Sequence, residues 1–138
     1  MDYRPLVPEL QMADIEKSLA FYVDLLGFEV KYARPENGFY FIEREGAQIM
    51  IEQLTPDERF TNGLPEIPFG RGMNFEIETA DVDALYDRIT AANYPVFIPI
   101  EDKWYRTGDV MGGTRQFIVA DPSGYLLRFC QDMGTRPL

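Results

Sequence analysis

The sequence predicts an α+β fold in which one β-α-β-β-β module is used twice, with the helices gathered on one face of a sheet. Three observations lead there. An alternating strand, an Asp cap, an amphipathic helix and a further strand occur in that order near the start, and again after residue 72. The stretch FIVADPSGYLLRFCQ, residues 117–131, places two apolar runs around Asp121-Pro122-Ser123-Gly124. Proline presets one turn angle and glycine supplies a positive one, so this stretch reads as a hairpin. Ten prolines and eleven glycines suit many short elements better than a long helical bundle.

Residues 6–13, LVPELQMA, alternate, with Leu6, Pro8, Leu10 and Met12 on one side and Val7, Glu9 and Gln11 on the other. That pattern is a strand with one buried face. Asp14 is placed to cap a helix whose apolar positions Ile15, Leu19, Tyr22 and Leu26 recur at helical spacing, and Gly27 suits its left-handed end. Strands follow at 28–32, 39–44 and 47–54, with turns at Pro35–Gly38 and Glu45-Gly46. Residues 55–72 are rich in Pro, Gly, Asn and charge, the mark of a long connection. The opening pattern then returns. Met73, Phe75 and Ile77 alternate with Asn74, Glu76 and Glu78, Asp81 repeats the cap, and Val82, Leu85, Ile89 and Ala92 form a helical stripe ended by Asn93. IEDKWYRTGDVMGGTR, residues 100–115, reads as a second long Gly-rich loop. The whole chain, 1–138, is expected to be one domain, with module 1 at 6–54, the connection at 55–72 and module 2 at 73–131.

Alternation assigns faces. Leu10, Met12, Phe75, Ile77, Leu127 and Phe129 are expected to face the helices. The other face would carry Glu9, Gln11, Gln48, Glu52, Asn74, Glu76, Glu78 and Arg128. A sheet face this polar is either washed by solvent or lines a pocket. The loop aromatics Phe60, Phe69, Trp104 and Tyr105 are either folded onto the core or free to stack on a ligand. Beside carboxylates, free rings would suit a planar, cationic or amphiphilic molecule.

Composition narrows the chemistry. A net charge of −10 argues against nucleic acid and anionic membranes as partners. No run reaches the roughly 18 apolar residues of a membrane span, and the start lacks the apolar core of a signal peptide. The lone Cys130 forms no internal disulfide, so a reducing cytoplasm is the expected location. Zero histidines exclude Ser-His-Asp and Cys-His catalysis, and leave any transition-metal site to carboxylates.

The duplicated module, AFYVDLLGFEV after the first cap and ADPSGYLLRF near the end resemble the vicinal-oxygen-chelate superfamily. That group includes glyoxalase I, fosfomycin-modifying enzymes, extradiol dioxygenases and the bleomycin resistance proteins. The resemblance implies a cupped mixed sheet with its helices on the convex face. It also implies metal-ligand positions in the hollow, which fall here at Val7, Asn74 and Arg128. Valine has no lone pair to offer and arginine a fixed positive charge, so the chain resembles the metal-free bleomycin resistance branch, with no cofactor and no catalytic residue. By that resemblance the protein is a homodimer, its first strand exchanged about a hinge at Pro8, that sequesters a cationic or planar ligand. Phe39 matches one of the branch's stacking aromatics. The other falls at Gly113, and Trp104 or Tyr105 could replace it. The expected ligand-binding residues are Phe39, Phe60, Trp104 and Tyr105 as stacking surfaces, Glu52, Glu76 and Glu78 as the anionic lining, Asn74 beside them, and Arg128 as counter-charge. Two alternatives stand beside this reading. One is a glyoxalase- or dioxygenase-like enzyme working through carboxylates, with Glu76 beside Arg128 as an acid–base pair. The other is an accessory domain presenting its groove to a peptide or another protein, to which an exposed Phe60/Phe69 patch with no enclosed cavity would point.

Overall fold

The structure, a computed structural model, describes residues 2–56 and 61–138. It is α+β, with two four-stranded mixed sheets. The chain divides into two compact units, one of Met1–Arg71 with Asp121–Tyr125, the other of Gly72–Ala120 with Leu126–Leu138.

The first unit holds β1 (Glu9–Met12), α1 (Ile15–Leu19), β2 (Glu29–Arg34), β3 (Phe39–Arg44) and β4 (Ala47–Gln53), in sheet order β1-β4-β3-β2. β1 runs parallel to β4 and the other pairs are antiparallel. Asp14 caps α1 by accepting from the Glu16 and Lys17 amides, and the Gln53 side-chain oxygen accepts from the Ile15 amide at 2.9 Å. After Leu19 the helix widens into a π-helical turn, Ala20–Leu25. The extra residue in that turn rotates the remainder of the helix about its axis. The buried positions are Ser18, Phe21, Tyr22 and Leu26; Tyr22 and Leu26 were expected, while Ile15 and Leu19, before the π-helical turn, are only half-buried. Leu6, expected on the buried side of the first strand, is 82% exposed, because the ladder begins at Glu9.

The second unit holds β5 (Asn74–Glu78), α2 (Val82–Ala91), β6 (Ile98–Thr107), β7 (Val110–Ala120) and β8 (Leu126–Pro137), in order β5-β8-β7-β6, with β5 parallel to β8. α2 repeats the capping of α1. Asp81 accepts from the Ala84 amide, and the Gln131 side-chain oxygen from the Val82 amide, each at 3.0 Å. Val82, Leu85 and Ile89 are buried as the stripe predicted, Ala92 is exposed, and Asn93 takes a positive φ of 57° at the helix end. Under the helix, Tyr86 meets Phe117 edge-on at 5.1 Å and Phe117 stacks on Phe129 at 5.6 Å.

Residues 100–115 are not a loop. They form a hairpin of β6 and β7 turning at Gly108-Asp109, in which Trp104 lies opposite Gly113 and Tyr105 opposite Gly112. Glycines that suggested a turn are strand residues facing large side chains on the neighbouring strand. No helix among the described residues is long and apolar enough to cross a membrane.

The Asp121–Tyr125 turn is built around one buried carboxylate. Asp121 accepts from the Ser123 and Tyr125 amides at 2.9 Å each and from the Tyr22 hydroxyl at 2.7 Å. Burial holds this carboxyl above its ordinary pKa, against the pull of those hydrogen bonds. Gly124 has φ 107°, and a Cβ there would lie 2.5 Å from Pro68 Cα, so only glycine fits. Asp121→Ala would strand three buried donors. At about 1–3 kcal/mol per orphaned group the expected loss is about 3 kcal/mol or more, read from urea unfolding midpoints.

Candidate functional site

The site in the second unit follows from the parity of β8. Leu127 and Phe129 are fully buried on the helix side, which turns Arg128 and Cys130 to the other face. The register with β5 sets Glu76 beside Arg128 and Glu78 beside Cys130. Across β7, Cys130 lies opposite Gln116 and Asp132 opposite Thr114, before a register shift. These side chains and Tyr105 of β6 surround a cavity of about 510 Å³, lined chiefly by Glu76, Glu78, Tyr105, Arg128, Cys130 and Asp132.

Hydrogen bonds tie the lining together across the sheet. Gln116 donates to the Tyr105 hydroxyl at 3.0 Å and accepts from Arg128 Nη1 at 3.4 Å. Arg128 Nη2 lies 3.7 Å from a Glu76 carboxylate oxygen, and the Cys130 thiol donates to the other at 3.4 Å. Burial, with the Glu76 hydrogen bond and charge behind it, pushes the Cys130 thiol up to about 11, so it stays protonated. Arg128 Nε is buried with no hydrogen-bond partner among the described residues. Three carboxylates and one guanidinium thus line the cavity.

Four expected site residues, Glu76, Glu78, Tyr105 and Arg128, come together here. Asn74 is exposed at the start of β5, opposite Leu126, and does not line the cavity. Trp104 does not line it either. It points to the opposite face of β6, where its ring covers Gly113 so closely that a Cβ there would sit 2.7 Å from the ring carbons. The Arg136 guanidinium caps the ring at 4.1 Å. On this face Arg115 pairs with Asp83 of α2 at 3.0 Å. Asp132 was not expected. It continues the Arg128, Cys130 alternation one step past the assumed end of the module, and that alternation was its only signal in the sequence.

The first unit has a polar hollow of its own. Phe39 is 3% exposed, and the Arg34 guanidinium lies over its ring at 4.0 Å. Tyr32 stacks on Phe41 at 5.1 Å, and Tyr3 meets Phe41 edge-on at 5.6 Å. Gln48 is buried because residues 2–4 run across it, donating the Arg4 amide to its oxygen and accepting at Asp2 from its nitrogen. Glu9 hydrogen-bonds Glu52, and its pKa is pushed up to about 7, first by burial, then by that hydrogen bond and the Glu52 charge, with Arg34 opposing. A cavity of about 660 Å³ is lined by Glu9, Gln11, residues 61–65 and Tyr125. Phe69 is buried edge-on to Tyr125 at 6.1 Å, folded onto the core. Phe60 lies outside the described residues. Among the described residues no group of three or more His, Cys, Asp or Glu is arranged to hold a metal ion.

The family model of the Glyoxalase/Bleomycin resistance protein/Dioxygenase superfamily matches residues 6–129. The chain belongs to that superfamily. A bleomycin resistance protein of Geobacillus stearothermophilus is 27% identical, over 92% of this chain and 96% of its own. Among solved structures of the superfamily's fold, TioX from Micromonospora sp. ML1 aligns with TM-score 0.68 at 23% identity, covering 93% of this chain and 98% of its own. Lactoylglutathione lyase from Agrobacterium tumefaciens aligns with TM-score 0.60 at 20% identity, covering 95% of each chain. This superfamily member therefore shares its fold with a named enzyme, and about a quarter of its residues with a named resistance protein.

The Glu9–Glu52 pair makes stability depend on pH. With the folded pKa of Glu9 near 7 and the unfolded value near 4.5, its contribution is complete below the lower value and is lost as pH rises through the upper one. Glu9→Gln keeps a donor for Glu52 without the second charge. The variant is expected to melt above the parent near pH 8 and level with it below about pH 4.5, measured by circular dichroism.

Proposed function

We propose that the protein binds and sequesters a cationic, planar small molecule without transforming it, an antibiotic of the bleomycin kind being the first candidate. The observation that carries this is the second unit's cavity, which Glu76, Glu78, Asp132 and Tyr105 line and whose volume suits a drug-sized ligand. Carboxylates attract the cation and the tyrosine ring offers a stacking face. The first unit supports the same chemistry, since its own Arg34 lies on Phe39 close to the Glu9–Glu52 pair. The curated relatives are named for bleomycin resistance. A net charge of −10 draws cations toward the molecule at long range. We also propose a homodimer, supported by the exposed Leu6; for the first strand to be exchanged, residues 2–4 would have to leave Gln48 and Phe41 of their own chain. Sedimentation equilibrium at twice the chain mass is the expected result.

Isothermal titration with bleomycin is expected to give saturable binding that weakens between 50 mM and 500 mM salt without vanishing, because stacking survives screening. Glu76→Gln is expected to weaken binding about ten-fold. Mass spectrometry should recover the ligand unaltered. Absence of heat and of thermal shift with bleomycin and related cationic aromatics would remove the reading.

One observation favours an enzyme instead. Glu9, with a pKa near 7, is poised to exchange a proton at neutral pH. A chemically altered ligand, with turnover abolished in Glu9→Gln, would establish that role.

A further inference from the structure

Arg128 is poorly served by its own chain. A guanidinium offers five donors and keeps its charge throughout the accessible pH range. Here Nη1 reaches Gln116 at 3.4 Å and Nη2 reaches Glu76 at 3.7 Å, both long for charge-assisted contacts. Nε is buried and unpartnered. Glu76 is also the acceptor for the Cys130 thiol, so it does not serve Arg128 alone. The cavity is polarised along β8. Arg128 lies level with Glu76 at one end, Glu78 is level with Cys130, and Asp132 lies two residues further on. At about 3.3 Å per strand residue, the acidic end begins roughly 7 Å from Arg128 and extends to roughly 13 Å. A ligand that was only a cation would meet, at one end of its groove, a positive charge answered by a single long contact to Glu76.

We infer that the ligand of this groove is amphoteric, with a cationic group at the Glu78–Asp132 end and a carboxylate that takes the guanidinium of Arg128. This rests on the binding reading above and adds the second charge and its spacing. A carboxylate accepts two parallel N–H bonds from a guanidinium, and the two Nη groups, held only by long contacts, have donors to give. Arg128 is then the specificity-determining residue, separating amphoteric ligands from simple cations of the same size.

The test uses lysyl-tryptophan and lysyl-tryptamine, which differ only by the carboxylate, and acetyl-tryptophan, which lacks the cation. Titration calorimetry is paired with ¹H–¹⁵N spectra of the arginine Nε–H groups. Lysyl-tryptophan is expected to bind about ten-fold tighter than lysyl-tryptamine and to shift the Arg128 Nε–H resonance, with acetyl-tryptophan weakest. Arg128→Gln is expected to erase the preference while still binding lysyl-tryptamine at least as well as the parent does. Arg128→Lys keeps the charge without the fork and should retain part of the preference; it carries the comparison if the glutamine variant does not fold. Equal affinity for the two lysyl compounds, or a preference that survives in Arg128→Gln, overturns the inference and leaves the binding reading standing. Binding of neither lysyl compound overturns the inference, and the binding reading falls with it where bleomycin gives no heat either.

Discussion

The second unit depends on strand parity in β8. Leu127 and Phe129 must pack beneath α2, and a slip of one residue would drive Arg128 into that apolar layer and expose two large side chains. Register is therefore fixed by burial. The parallel pairing with β5 then delivers Glu76 and Glu78 to the same hollow, and the pairing with β7 delivers Gln116. The polar groove results from an apolar constraint on the other side of the sheet.

The two modules solve the same problem with different residues. In the first, Glu9 lies level with Met50 and Gln11 with Glu52; in the second, Glu76 lies level with Arg128 and Glu78 with Cys130. Glu9 bonds diagonally to Glu52, as Glu76 does to Cys130. Met50 and Arg128 thus hold equivalent positions. The first hollow has no cation on β4 and takes one from β2, Arg34 over Phe39, whereas the second carries its cation on the central strand and leaves Tyr105 open to the cavity. In the first hollow Arg34 covers Phe39, and in the second Arg128 keeps donors to give.

Much of this was legible in the sequence because caps and alternation are local. The Asp14 and Asp81 caps, the ends at Gly27 and Asn93, the Asp121 turn and the outward aim of Arg128 all follow from spacing alone. The features that escaped depend on contacts distant in sequence or on small geometric changes. Ser18, not Ile15 or Leu19, is the buried residue of α1, and Phe21 joins Tyr22 as a buried position in the π-helical turn that follows. Gly108, Gly112 and Gly113 imitated a loop, which hid that Trp104 and Tyr105, as strand neighbours, must face opposite ways. The cap contacts of Gln53 and Gln131 bridge 38 and 49 residues, beyond the reach of any local pattern.

Those two glutamines show how the duplicated design divides its labour. Each follows a residue of the hollow, Glu52 in one copy and Cys130 in the other, yet points the opposite way to close a helix end. The two modules share the glutamine and differ in its neighbour. In each copy this strand anchors the helix from its odd-numbered side and faces the hollow from its even-numbered side, so the residues that meet a ligand are separate from those that hold the helix end.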